Sequence, residues 1–277
     1  MSSKFKENTF SLKKVQETMI LPLWGRFIES KKEAPLLYDA KAVEIINSIN
    51  YDFSSIKENI NEYHALGWVV RAKTVDEAVK NFIKKHPKGI IVNIGAGLDT
   101  TFERIDNKEL TWYDLDLPDS IEFRKKFISE TNRSHYIAKS VFDYTWFNDM
   151  KTISDNILFI AAGVLMFFEE ENLKELFSQL ASKFPNGEIF FDTLSEQGLE
   201  HANTMMKNAG MKDGLLSWGI NSANEIAKWN DKIMVVDEFS YYKFIPRKKE
   251  WGPDVIKSMN MCDEFKSANF YHLKFKK

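Results

Sequence analysis

Two short stretches carry the residues with which this chain could do chemistry. One is Gly95-Ala96-Gly97-Leu98-Asp99-Thr100. Glycines one residue apart let a backbone approach a ligand without interference from a Cβ, and they serve equally well in a tight turn. The other is Trp112-Tyr113-Asp114-Leu115-Asp116-Leu117-Pro118. Asp116 falls nineteen residues after Gly97, the spacing at which an acid on a second strand grips ribose hydroxyls. A carboxylate offers two acceptor oxygens to two vicinal hydroxyls. Asp114, two residues earlier, points to the same side of a strand. A competing reading makes one of these acids the cap of a helix opened by Pro118 and Asp119.

The third motif position narrows the choice of nucleotide. A dinucleotide fingerprint wants Gly or Ala there, so that the helix packs close beneath a pyrophosphate; this chain has Thr100. A Gly-x-x-x-x-Gly-Lys-Ser/Thr phosphate loop is also missing from the sequence. The pattern therefore suits a ribose whose ligand needs no phosphate cradle. S-adenosylmethionine, with an adenosine, a sulfonium and an amino-acid end, is such a ligand.

Elements must hold these groups in place. Ile90-Ile91-Val92-Asn93-Ile94 is a nearly continuous β-branched run, the pattern of a strand buried on both faces. Further strands are expected over Leu110 to Leu117, His135 to Ala138, Ile157 to Ala162 and Glu188 to Leu194, with helices over Asp119 to Ser129 and Glu169 to Phe184. This alternation predicts an α/β fold built on a parallel sheet with helices on both faces. Lys232 to Ile245 and Ala268 to Phe275 read as the last strands, one of them antiparallel. Residues 1–86 read as helical, over Phe5 to Leu21, Tyr38 to Ile49, Tyr63 to Val70 and Val75 to Ile83. Asp76 and Glu77 are placed in the first turn of the last of these, and His86-Pro87-Lys88-Gly89 stops it. The expected division is a helical lid over 1–86 and a binding domain over 87–277.

Composition excludes several classes of function. Lys and Arg number 38 against 40 Asp and Glu, a net charge of −2, so no basic surplus faces a nucleic-acid backbone. The single cysteine, Cys262, rules out an internal disulfide framework and a Cys-rich metal site. Met1 to Asn8 shows no apolar leader segment, and the longest apolar run, Ile157 to Phe168, is shorter than the roughly twenty residues of a membrane span. A cytoplasmic chain with no membrane partner is expected.

Three segments together carry a resemblance. Ile91 to Thr100, Trp112 to Pro118 and Gly163-Val164-Leu165-Met166-Phe167-Phe168-Glu169-Glu170-Glu171 resemble the leucine carboxyl methyltransferase and tetracenomycin-type polyketide O-methyltransferase family. Leu23-Trp24-Gly25-Arg26 and Val70-Arg71-Ala72-Lys73 are similar to that family's N-terminal lid, and Ser140 to Trp146 to its segment after the third strand. The resemblance implies a class I methyltransferase, a Rossmann-like fold with a mostly parallel seven-stranded sheet and an N-terminal helical lid. It further implies S-adenosylmethionine as donor and S-adenosylhomocysteine as product. Gly95 and Gly97 would let the backbone approach the amino-acid end, and Arg71 would pair with its carboxylate. Asp116, with Asp114 nearby, would hold the ribose. Asp143 would accept from the adenine amino group, with Phe142 and Tyr144 beside it. Each has a structural alternative: Arg71 as a surface residue, Asp143 in a loop turn, Phe142 in the core.

Two departures stand out. Many relatives carry Glu-Gly in the fourth-strand segment, with the Glu facing the cofactor. Here Ala161-Ala162-Gly163 puts Ala162 beside the cofactor without a carboxylate. An Arg that often follows the motif Thr is Thr101 here. The first departure keeps a non-catalytic, S-adenosylmethionine-binding reading open.

The acceptor implied is a small molecule with a hydroxyl or carboxyl group, with protein C-terminal carboxyl methylation as the sibling reading. Methyl transfer from a sulfonium is an in-line displacement with a good, neutral leaving group, so alignment dominates. A carboxylate acceptor needs no base, whereas a phenol or alcohol benefits from one. None of the five histidines, His64, His86, His135, His201 and His272, is nominated for that role. A homodimer is left open.

Overall fold

The computed structural model describes residues 14–49, 51–150, 155–208 and 215–277. The start of the expected Phe5 to Leu21 helix and the stretch searched for a leader lie outside the described residues. Four helices precede the first strand: α1 (Lys14–Ser30), α2 (Ala40–Ser48), α3 (Ser54–Asn59) and α4 (Glu62–Lys85). The alternating part then follows as β1 (Ile90–Ile94), α5 (Thr101–Ile105), β2 (Thr111–Asp116), α6 (Pro118–Arg124), β3 (Ser134–Ala138), β4 (Ile157–Ala161), α7 (Glu170–Lys183) and β5 (Glu188–Leu194). The chain ends with α8 (Glu196–Asn208), α9 (Ala223–Ala227), β6 (Ile233–Ser240), α10 (Gly252–Glu264) and β7 (Ala268–Phe275).

All seven strands join one sheet in the order β3-β2-β1-β4-β5-β7-β6. Strands β1 to β5 pair in parallel, and β7 runs antiparallel between β5 and β6. This is the class I methyltransferase architecture. The β-branched run makes β1 because it can bury both faces. Ile90, Val92 and Ile94 pack with Leu173, Leu176 and Phe177 of α7, while Ile91 packs with Val75, Val79 and Phe82 of α4 and Met259 of α10. Each such side chain contributes roughly 1.5–3 kcal/mol by leaving water. A third cluster joins the N-terminal helices to the carboxyl ends of the strands, with Leu23 and Trp24 of α1, Ile45 and Ile46 of α2, Leu98 after β1 and Phe123 of α6.

Several expectations need correction. The two helices read over Tyr63 to Val70 and Val75 to Ile83 are one 24-residue helix, α4. Arg71-Ala72-Lys73-Thr74 contains no helix breaker, so nothing interrupts it. Asp76 is therefore an interior helix residue, 3% exposed, and not a first-turn acid. The helix expected to reach Ser129 ends at Arg124, after which the backbone tightens into turns through Ile128. The stretch between the last two strands holds α10, opened by Pro253 in its first turn. Among the described residues, no helix is long and apolar enough to cross a membrane.

Candidate functional site

The sheet order reverses at β1, with β2 and β3 on one side and β4 and β5 on the other. In such sheets the carboxyl ends of the two central strands flank a crevice. At the end of β1 the chain turns through Gly95 (φ +67°) and Gly97 (φ +45°). Both are left-handed positions that favour glycine. They are also crowded: a Cβ on residue 95 would stand 2.6 Å from Val164 Cγ2, and one on residue 97 would stand 3.2 Å from Met19 Cγ. Met19 of α1 thus covers Gly97.

The tips of β1 and β2 are joined directly. Gly97 N–H donates to Asp116 Oδ2 at 2.7 Å, and Leu117 N–H donates to Oδ1 at 2.7 Å. Burial lifts the Asp116 carboxyl above its ordinary range, although the two amides oppose that shift. Asp114 has a different part. It is 0% exposed and accepts from Trp112 Nε1 at 2.8 Å, Asn93 Nδ2 at 3.0 Å and Arg124 Nη2 at 2.8 Å. The geometry therefore separates the two acids that the sequence reading placed together, because a closed set of donors takes Asp114 into the scaffold. Arg124, braced by Asp114, donates from Nη1 to Gly97 O at 3.1 Å and Asp99 O at 2.6 Å.

The other flank of the turn is tied to the lid. Asp39, at the N-cap of α2, accepts from Ala42 N–H. Its Oδ2 takes Arg26 Nε at 2.8 Å, Thr100 Oγ1 at 2.5 Å and Arg104 Nη1 at 2.8 Å. Arg26 Nη2 also donates to Leu98 O at 2.9 Å, and Arg104 forks onto both oxygens of Asp76 at 2.7 and 2.8 Å. Burial alone would raise the Asp39 carboxyl, but Arg26 and Arg104 outweigh it and hold it below the ordinary carboxylate range. The position of Thr100 in the motif thus serves a bond to the lid.

At the tip of β4, Ala162 is half-buried and Gly163 is left-handed (φ +70°). The guanidinium of Arg71 lies over Gly163, where a Cβ would stand 2.6 Å from Nη1. Asp192 of β5 accepts from Arg71 Nε at 2.9 Å and from Gly163 N–H at 2.7 Å. Beyond β3, Asp143 is exposed and caps a short 3₁₀ turn, Tyr144–Asn148, accepting from Thr145 N–H at 3.1 Å and Thr145 Oγ1 at 2.6 Å. Those bonds hold its carboxyl below the ordinary range. Phe142 is half-buried, edge-on to Phe168 at 4.9 Å.

The row across the crevice is therefore Arg71 and Ala162 at β4, Gly95 and Gly97 at β1, Asp116 at β2, then Phe142 and Asp143 at β3. Sequence reasoning missed Asp39, Arg104, Arg124 and Asp192. Asp192 had a signal: a lone acid in the apolar run Ile189-Phe190-Phe191 must find a partner. A cavity of about 420 Å³ opens elsewhere, toward the amino ends of β4 and β5, lined by residues such as Phe82, Leu158, Phe190 and Phe239. It shares no lining residue with this row. Among the described residues, no group of three or more His, Cys, Asp or Glu side chains could hold a metal ion.

Comparison with known proteins gives the family and the fold. The leucine carboxyl methyltransferase family model matches residues 20–181. The tetracenomycin polyketide synthesis O-methyltransferase TcmP of Streptomyces glaucescens is 28% identical over 223 residues, covering 79% of this chain and 80% of that protein. The S-adenosyl-L-methionine-dependent methyltransferase dpfgK of Gibberella zeae is 22% identical over 194 residues, 64% of this chain and 65% of that one. Among solved structures, a duf574 family protein from Streptomyces avermitilis shares the fold with a TM-score of 0.55 at 11% identity, covering 92% of this chain and 97% of that one. The plantazolicin methyltransferase BpumL, solved with a pentazolic desmethylPZN analog and SAH, gives 0.51 at 14% identity, covering 95% and 99%. The chain belongs to the leucine carboxyl methyltransferase family and is an S-adenosylmethionine-dependent methyltransferase.

Proposed function

We propose that this member of the leucine carboxyl methyltransferase family moves a methyl group onto a hydroxyl or carboxyl oxygen of a small-molecule acceptor of polyketide type. The observation that carries the reading is the order of groups along the crevice. A guanidinium at β4, a glycine turn at β1, an acid at β2 and an aromatic ring beside an acid at β3 follow the order of carboxylate, sulfonium, ribose and adenine. The donor set also fits: a cation for the carboxylate, an acid for the diol and no phosphate loop. The 28% identity to TcmP supports a polyketide-type acceptor.

When bound, S-adenosylmethionine supplies a methyl group on a good, neutral leaving group. The chain's own residues then have a positioning task. Arg71 would take the carboxylate, Asp116 the ribose hydroxyls and Asp143 the adenine amino group, with Phe142 against the ring. Gly95 and Gly97 keep the backbone slim between them, and Met19 helps to shut out water at that turn. No histidine is given the part of base. His86 follows α4, His135 lies 5.4 Å from the Tyr113 ring, His272 Nε2 pairs with Glu188 at 2.8 Å, and His64 and His201 are exposed.

The test is a titration with S-adenosylhomocysteine, followed by a methyl-acceptor screen. The screen sets phenols and carboxylic acids of polyketide type against a peptide ending in a leucine carboxylate. Binding with methylation of the small molecules alone supports the proposal. Methylation of the peptide alone would move the acceptor to a protein C-terminus, and absence of nucleoside binding would overturn the site assignment.

A further inference from the structure

We infer that Asp192 is a positioning residue for the amino-acid end of the cofactor, supplying from β5 the carboxylate that the tip of β4 lacks. The inference rests on the cofactor reading above. Strands β4 and β5 are in register at Ala161 and Phe191, so the next residues along, Ala162 and Asp192, continue side by side. Ala162 brings no carboxylate to this pair, so Asp192 is its acid.

Asp192 is 1% exposed, and its bonds point at two parts of the site. One oxygen accepts the Gly163 N–H at 2.7 Å and fixes the left-handed turn at the end of β4. The other accepts Arg71 Nε at 2.9 Å and turns the guanidinium over that glycine. A guanidinium carries five N–H donors, and Asp192 engages it through Nε. The Nη side can thus take a second anion, and the Arg71 side chain is 22% exposed. A charged arginine is required for that work. Burial opposes its charge, but Asp192 outweighs burial and keeps the group above its ordinary range. A buried acid whose only task was to brace the sheet would not need to orient a partly exposed cation.

The experiment compares two ligands on the full chain by titration calorimetry. S-adenosylhomocysteine has the amino-acid end; 5′-methylthioadenosine has the same adenosine and thioether sulfur without it. Asp192→Asn keeps an oxygen for Gly163 but turns an amide N–H₂ toward Arg71. We expect it to weaken S-adenosylhomocysteine at least about tenfold, as for a lost charge-assisted contact, and to leave methylthioadenosine within about threefold. Adding Ala162→Glu should recover most of the loss, since it returns a carboxylate to the same pair of positions. Equal effects on both ligands, or none on either, would overturn the inference while the cofactor reading stood. Wild-type protein that binds neither ligand would bring down both. Should Asp192→Asn fail to fold, Asp192→Glu keeps the charge but shifts it by one methylene relative to Arg71 and Gly163. A selective loss of S-adenosylhomocysteine there supports the inference, and an unselective one overturns it.

Discussion

On one side of the crevice the chain from Gly95 to Arg104 is gripped by three arginines: Arg124 holds the carbonyls of Gly97 and Asp99, Arg26 holds that of Leu98, and Arg104 closes on Asp39, Asp76 and Thr100. Past β5, α8 has no buried residue, and the described chain that follows it is held by Trp218 and Ile220, which are buried in the core, and by neutral hydrogen bonds. Asn203 exchanges two of them with the backbone of Leu216, and Ser217 and Trp218 N–H both reach Met166 O. The first region is fixed by buried charge, the second by neutral hydrogen bonds and two buried side chains, Trp218 and Ile220. The contrast separates two duties. The part that carries the proposed cofactor residues is braced by ion pairs, while the part after β5 relies on packing and neutral bonds.

Removing the centre of the charged network tests that contrast hardest. Asp39→Ala would leave Arg26 buried without an anion and Arg104 paired with Asp76 alone, at a cost of about 3–5 kcal/mol in urea unfolding. A cost below about 1 kcal/mol, the range of an exposed pair, would erase the distinction between the two regions. The same acid predicts a pH dependence. Its carboxyl is held below the ordinary range, so its contribution is fully present above the unfolded value near 4 and fades as pH falls through the lower folded value. The stability difference between wild type and Asp39→Asn should be flat from about pH 7 to 5 and shrink below about pH 4. Growth of that difference in acid would reverse the sign of the argument.

Asp116→Ala should weaken S-adenosylhomocysteine by roughly 1–3 kcal/mol in a titration, with a smaller loss of stability from the freed Gly97 amide. Unchanged affinity in a folded variant would remove Asp116 from the ribose. The smallest effect is expected past β5. Asn203→Ala should cost about 1 kcal/mol or less in urea unfolding and leave S-adenosylhomocysteine affinity unchanged. A stability loss as large as that of Asp39→Ala would erase the contrast.

The readable parts of the fold were those governed by local pattern. Ile90–Ile94 and Glu188–Leu194 have the strand limits that their apolar runs predict. Helix α4 was misread because an apolar stripe interrupted by Arg71 to Thr74 looks like two short helices. In the site, the tips of β1 and β2 could be located from glycine and acid spacing. The pairs that complete them could not, since Thr100 meets Asp39 across 61 residues and Arg71 meets Asp192 across 121. Spacing singled out Asp116 for the ribose but kept Asp114 beside it; only the fold, with Arg124 turned back onto Asp114, takes that acid into the scaffold.

The continuity of α4 bears on how a nucleoside could enter. From Val75 to Phe82 this helix is built into the sheet's core, and Arg71 rides one turn ahead of it on the same rod. No joint lies between the two, so any hinge that swings the helical cover must act ahead of Asn61 and carry α1 to α3 alone. On the assignment of Arg71 proposed above, the cation is preset before the nucleoside arrives, and the entropy of ordering it is settled during folding, not at each encounter.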